Sequence, residues 1–216
     1  MKSKNASKVE EMKLNGEQFN DKTFLDLTHY DQYEFVDLNA SEYEFCFKVA
    51  DIMEEAKNRN VAAGSDTNWG TDGANKGKRW RTGILAERAV ELKYGIAFIN
   101  TTVGKAKDYN CPDLFPEAML GVKASEPPKC ALFHPSTWKC PQIVCVVTWN
   151  QLNLAYRVYL LGLGYMEDMA ENADRYLALD PKIPSKMGIY GYDLLRPLPK
   201  TTEELFEKFP VPAGLA

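Results

Sequence analysis

Between residues 83 and 125 the chain changes period, and that change limits its fold more than any other feature. The run Gly83-Ile84-Leu85-Ala86-Glu87-Arg88-Ala89-Val90 places apolar side chains at helical spacing, within a helix expected over 79–94 that buries Leu85, Ala86, Ala89, Val90 and Leu92. After Gly95 the pattern becomes period two or continuously apolar, and strands are expected at 96–100, 120–124, 130–133, 143–148 and 156–161. Upstream, residues 41–60 read as a helix: Ser41 caps it, Glu42 and Glu44 sit in its first turn, and Phe45, Val49, Ile52 and Met53 recur at helical spacing. Downstream, 166–179 reads as a helix, and Thr201 caps a short one over 202–209. Helices, then clustered strands, then a helix predict an α/β or α+β core, with a mixed central β-sheet flanked by helices.

A chain of 216 residues accommodates one large domain with appendages. Residues 1–40 are expected to be an N-terminal arm or extension, polar over 1–22 and aromatic-rich over 23–38. Residues 41–200 form the core domain, and 201–216 a short C-terminal helix and tail. Residues 61–78 read as a long loop. It is not a phosphate-binding P-loop, because Arg79 follows Gly77-Lys78 and no glycine opens the required spacing. It is not an EF-hand, because the acidic twelfth ligand is missing.

Net charge and cysteine usage narrow the function classes. A net charge of −4 argues against coating nucleic acid through bulk charge, and leaves room for an enzyme with a local basic rim. No apolar run approaches the ~18 residues that span a bilayer. The basic start Met1-Lys2-Ser3-Lys4-Asn5 has no apolar segment behind it, so a cytoplasmic, intracellular protein without membrane contact is expected. The 5 cysteines are odd in number, which argues against a disulfide framework. Cys130, His134, Cys140 and Cys145 raise zinc as an alternative, but no Cys-x-x-Cys pair occurs, and Cys145 sits in the apolar run Ile143-Val144-Cys145-Val146-Val147.

Two carboxylates and a lysine, in the order Glu87, Asp113, Lys123, can hold a divalent metal beside an activated water. A phosphodiester is shielded by its own charge, and Mg²⁺ suits its cleavage because it takes one or two carboxylates and keeps waters. Strand alternation puts Gly121, Lys123 and Ser125 on one face, and Leu120, Val122 and Ala124 on the other. Lys123 would then project towards the cleft of Asp113, where an ammonium orients water or stabilises charge on the phosphate. The bland alternatives are a surface Glu87, a turn Asp113 after Pro112, and a solvated Lys123. The run Lys76, Lys78, Arg79, Arg81 either meets phosphates or forms a solvated helix entrance. Trp69 or Trp80 could stack on an unpaired base, packing being the commoner role for Trp80.

The run Gly83-x3-Glu87-x-Ala89-Val90, followed by Pro112-Asp113-x7-Gly121-Val122-Lys123-Ala124-Ser125, resembles the PD-(D/E)XK nuclease superfamily, and more narrowly its small phage and bacterial members. The likeness extends through Tyr156-Arg157-Val158-Tyr159-Leu160-Leu161-Gly162 to Tyr192-Asp193-Leu194-Leu195-Arg196-Pro197-Leu198, and covers about residues 45–200. It implies a restriction endonuclease-like fold and a Mg²⁺- or Mn²⁺-dependent endonuclease cutting DNA, with homodimerisation left open. By the same likeness Glu87 and Asp113 ligate the metal, and Lys123 is the closing lysine of the motif. Gly121 departs from the pattern, because an acid belongs two residues before that lysine. Three outcomes stay open: Glu117 or Glu126 supplies a displaced carboxylate; Glu87, Asp113 and a backbone carbonyl suffice; or the fold persists as an inactive nucleic-acid- or protein-binding module.

Overall fold

The computed structural model describes residues 32–62, 78–97, 99, 112–114, 117–126, 132–133, 140–171, 176–178, 187–189 and 194–214. In chain order these form β1 (Glu34–Leu38), α1 (Ala40–Ala62), α2 (Lys78–Tyr94), β2 (Gly121–Ser125), β3 (Leu132–Phe133), β4 (Gln142–Asn150), β5 (Ala155–Gly164), α3 (Met166–Glu171), β6 (Tyr176–Ala178), β7 (Met187–Ile189) and α4 (Thr202–Lys208). The expected mixed sheet with flanking helices is present. Its strand order is β1-β5-β4-β2, and a small sheet of order β3-β7-β6 accompanies it.

β4 and β5 form an antiparallel hairpin, β1 adds antiparallel to β5, and β2 adds parallel to β4. A parallel neighbour needs a long crossover. β2 therefore meets β4 through non-local pairing, with Gly121 opposite Gln142 and Lys123 opposite Val144. β4 is buried without interruption from Gln142 to Val147, as a central strand covered on both faces must be.

α1 and α2 bury their stripes against this sheet. Cys46, Val49, Ala50 and Met53 of α1, with Ile84, Leu85, Ala86, Ala89 and Val90 of α2, join Val122, Ile143, Cys145, Val147, Val158 and Leu160 in one cluster. The α1 stripe is rotated from the expected one, since Phe45 and Ile52 are exposed and Cys46 and Ala50 point inward. Phe45 is covered instead by the Arg88 guanidinium, 5.6 Å from its ring centroid. On α2, Leu92 is exposed.

Other expectations change for local reasons. Asn39 rather than Ser41 caps α1, its Oδ1 accepting from the Glu42 amide at 3.2 Å. Ile96, Ala97 and Ile99 form no strand. The Gly95 and Ile96 amides both return to the Glu91 carbonyl, and the Ile99 amide donates to Glu91 Oε1 at 2.8 Å, so these donors close the helix end. The described part of α3 runs to Glu171, and Tyr176–Ala178 pairs with β7 where helix was expected. β1 lies inside the stretch assigned to an arm and forms one end of the sheet. Thr201 caps α4 as expected, accepting from the Glu204 amide. Trp80 packs against the core, the commoner of its two expected roles. Arg196 exchanges backbone bonds with Leu163 at 2.8 and 2.9 Å, so close to Gly162 that a Cβ there would stand 2.8 Å from the Arg196 carbonyl oxygen. No described helix is long and apolar enough to cross a membrane.

Candidate functional site

The buried stripe of α2 lays that helix along the sheet and puts Glu87 on its flank, partly buried. The carboxyl is pushed well above the ordinary carboxylate range. Burial contributes most, then repulsion from Asp113, then from Glu91, while Lys123 pulls it back. Asp113 is tied to the Val122 amide, next to Lys123, and the charges of both act on Glu87.

Asp113 sits in a turn after Pro112 rather than in a strand. A tight loop holds it there: the Leu114 amide donates to the Leu120 carbonyl at 3.0 Å, and the Ala118 amide to that of Leu114 at 2.9 Å. The Asp113 Oδ2 atom accepts from the Val122 amide at 2.6 Å, which straps the carboxylate to the head of β2. The residue is exposed overall, yet its carboxyl is crowded. Burial raises its pKa, against the Val122 N–H and the Lys123 charge, which both lower it. Lys123 stands one residue beyond Val122, partly buried.

The other expected residues lie apart from this group or outside the described residues. Glu117 is exposed in the loop before β2 and is not among the charges acting on Glu87 or Asp113. Glu126 accepts from the Thr82 hydroxyl at 2.6 Å and so faces the start of α2. Arg81 bonds Asp51 at 3.0 Å and stacks 4.7 Å over Phe47, which commits its guanidinium to α1. Lys78 and Arg79 open α2, but their side chains, with Lys76 and Trp69, lie outside the described residues. Of the four candidate zinc ligands, Cys130 and His134 lie outside them too, while Cys145 is fully buried in β4 and its thiol is raised by that burial.

Glu91 and Gln142 escaped the sequence reading, and Cys140 entered it only as a candidate zinc ligand. Glu91 is buried one turn beyond Glu87. It is tied to the Arg88 guanidinium at 2.7 Å and to the Ile99 amide, while Arg88 also reaches Glu42 of α1 at 2.6 Å. Its signal was available: two acids at i and i+4 on a buried flank demand partners. Cys140 has its thiol raised to about 11, by burial first and then by Asp113, against Lys123, so it borders the same locality. Gln142, 6% exposed, donates through Nε2 to the Cys140 carbonyl and to Sγ, each at 3.2 Å. Its Oε1 atom is buried and has no hydrogen-bond partner among the described residues. Its amide fills the space beside Gly121, where a Cβ would stand 2.2 Å from Oε1. Only the parallel register of β2 and β4 reveals that proximity.

Among the described residues no three His, Cys, Asp or Glu side chains are gathered as a metal-holding group. The residues offer two raised carboxyls that repel and a buried amide oxygen without a hydrogen-bond partner, which are donors of the kind a hard divalent cation takes. A shallow depression lined by Pro197, Leu198, Pro199, Glu204, Glu207 and Lys208 lies against α4 and includes none of these groups. No family model matches the chain, and neither does any curated protein or solved structure.

Proposed function

We propose that the protein is a divalent-metal-dependent nuclease that hydrolyses DNA phosphodiester bonds, on a restriction endonuclease-like variant of its mixed sheet. The observation that supports this most is the Asp113 carboxylate held by the Val122 amide beside Lys123, with the charges of both acting on Glu87 of α2. Carboxyls raised by burial beside a specific charge partner are candidates for a functional site. When bound, Mg²⁺ or Mn²⁺ would neutralise the scissile phosphate and make its water a better nucleophile. Glu87 and Asp113 would hold that ion. The Val122 amide fixes the Asp113 carboxylate in place, so little reorganisation is needed as the ion enters. Lys123 would orient the attacking water or stabilise charge on the phosphate.

A second reading, a binding module without activity, is favoured by Gly121, which leaves β2 without the acid that the nuclease pattern places there. One experiment separates the two. The protein is incubated with supercoiled plasmid, linear duplex, single-stranded DNA and RNA, with Mg²⁺ or Mn²⁺ and with EDTA. Metal-dependent cutting of DNA that disappears in Asp113→Ala supports the nuclease. Stable binding with no cutting by the wild type supports the module.

A further inference from the structure

We infer that the side-chain carbonyl of Gln142, reaching across from β4, supplies the third oxygen of the cation site in place of the acid absent at Gly121. This rests on the nuclease reading and specifies how its ion is held.

Three observations carry the inference. First, the amide orientation is fixed by chemistry: a flipped amide would set Oε1 against the Cys140 carbonyl oxygen, so Nε2 must face Cys140 and Oε1 is the atom left over. Second, Oε1 is buried and unpartnered, a state that costs free energy unless something fills it. Third, it lies where a side chain on residue 121 would project, 2.2 Å from the position of a Cβ there. Residue 121 shares a strand face with Lys123. The missing β2 acid and the extra β4 amide are therefore one substitution in space, although positions 121 and 142 lie on different strands and look unrelated until Gly121 and Gln142 are paired. The Asp113 Oδ2 atom is bonded to the Val122 amide and Oε1 lies against Gly121, so both meet the first two residues of β2. An amide carbonyl is a hard, neutral oxygen donor of the kind Mg²⁺, Mn²⁺ and Ca²⁺ accept. Two carboxylates with one neutral oxygen also explain why no three acids are gathered among the described residues.

The test is calorimetric titration of the full chain with Mn²⁺ alone, with thermal melts confirming that each variant folds. Wild type should bind one ion, and Gln142→Ala should bind it about tenfold or more weakly, the size of effect seen when a supporting group of a metal site is lost. Gly121→Ala should weaken binding similarly, because its methyl displaces the amide while leaving Gln142 in the chain. The double variant Gly121→Asp with Gln142→Ala puts a carboxylate into the vacated space and should recover at least wild-type affinity. Unchanged Mn²⁺ affinity in Gln142→Ala, with Asp113→Asn abolishing binding, would overturn the role of Gln142 and leave the nuclease reading standing. No Mn²⁺ binding by the wild type would overturn both.

Discussion

The two end strands of the central sheet hold aspartates under opposite constraint. Beside β1, Asp37 receives both arms of the Arg157 guanidinium at 2.7 Å, and that guanidinium also stacks 3.8 Å from the Phe35 ring centroid. Those bonds outweigh burial and hold its carboxyl below the usual range. Lys93 and Glu34 pair nearby. Beside β2, Asp113 and Glu87 are both raised, Gln142 Oε1 is unpartnered, and so is the buried Ser125 hydroxyl. One end spends its charges on holding strands together. The other holds two raised carboxyls and buried polar atoms without partners, at a cost in stability.

The contrast breaks most sharply at Asp113. Replacing it with Asn keeps an acceptor for the Val122 amide but removes the charge. Metal-dependent cleavage should fall by about a thousandfold or more, measured as single-turnover rates, while the melting curve changes little. A fall in stability without a fall in rate would make Asp113 a strap only. Lys123→Met should lower the cleavage rate by about a hundredfold and leave Mn²⁺ affinity at or above the wild-type value, because a repelling cation is gone. Equal losses in binding and rate would place Lys123 in structure rather than chemistry.

Stability measured against pH sharpens the comparison, because the two ends should respond with opposite signs. Glu87 has a folded pKa above its unfolded value, so the folded state loses stability as pH rises from the unfolded value through the folded one. Glu87→Gln should thus match wild type near pH 4 and exceed it at neutral pH without metal, by about 1–3 kcal/mol, the usual cost of a buried group lacking its partners. Urea melts across that range check this, and a difference independent of pH contradicts it. Asp37 is the reverse case: its folded pKa is lowered, so its contribution is present above the unfolded value and fades as pH falls through the folded one. Asp37→Asn should cost about 0.5–1 kcal/mol at neutral pH, as partly exposed ion pairs do, and almost nothing at low pH, with no effect on Mn²⁺ binding. A loss of Mn²⁺ affinity in this variant would mean that the two ends of the sheet are not independent.

What was legible in the sequence was local. The α2 stripe, the β4 apolar run, the β4–β5 connection and the Thr201 cap all follow from periodicity or capping within a few residues. The acids and lysine of the site could be named because their order along the chain resembles a nuclease motif. What was not legible depends on partners distant in sequence. β1 alternates poorly because it lies at a sheet end with Glu34, Phe35 and Asp37 exposed, and only its pairing with β5 makes it a strand. Gln142 fell just outside the strand expected at 143–148, and its link to Gly121 needs a register between strands that are not adjacent in the chain. The segment at Ile96 looked like a strand because its apolar residues say nothing of where the amides go. Glu91 takes the Ile99 amide and the Glu91 carbonyl takes that of Ile96.

The most direct measurement is a crystal structure of the protein soaked in Mn²⁺, with the ion located by its anomalous scattering. One peak within coordination distance, about 2.0–2.4 Å, of Glu87, Asp113 and Gln142 Oε1 is the predicted result. An ion bound elsewhere, or Glu87 and Asp113 carboxylates directed away from each other around an empty space, would contradict the account.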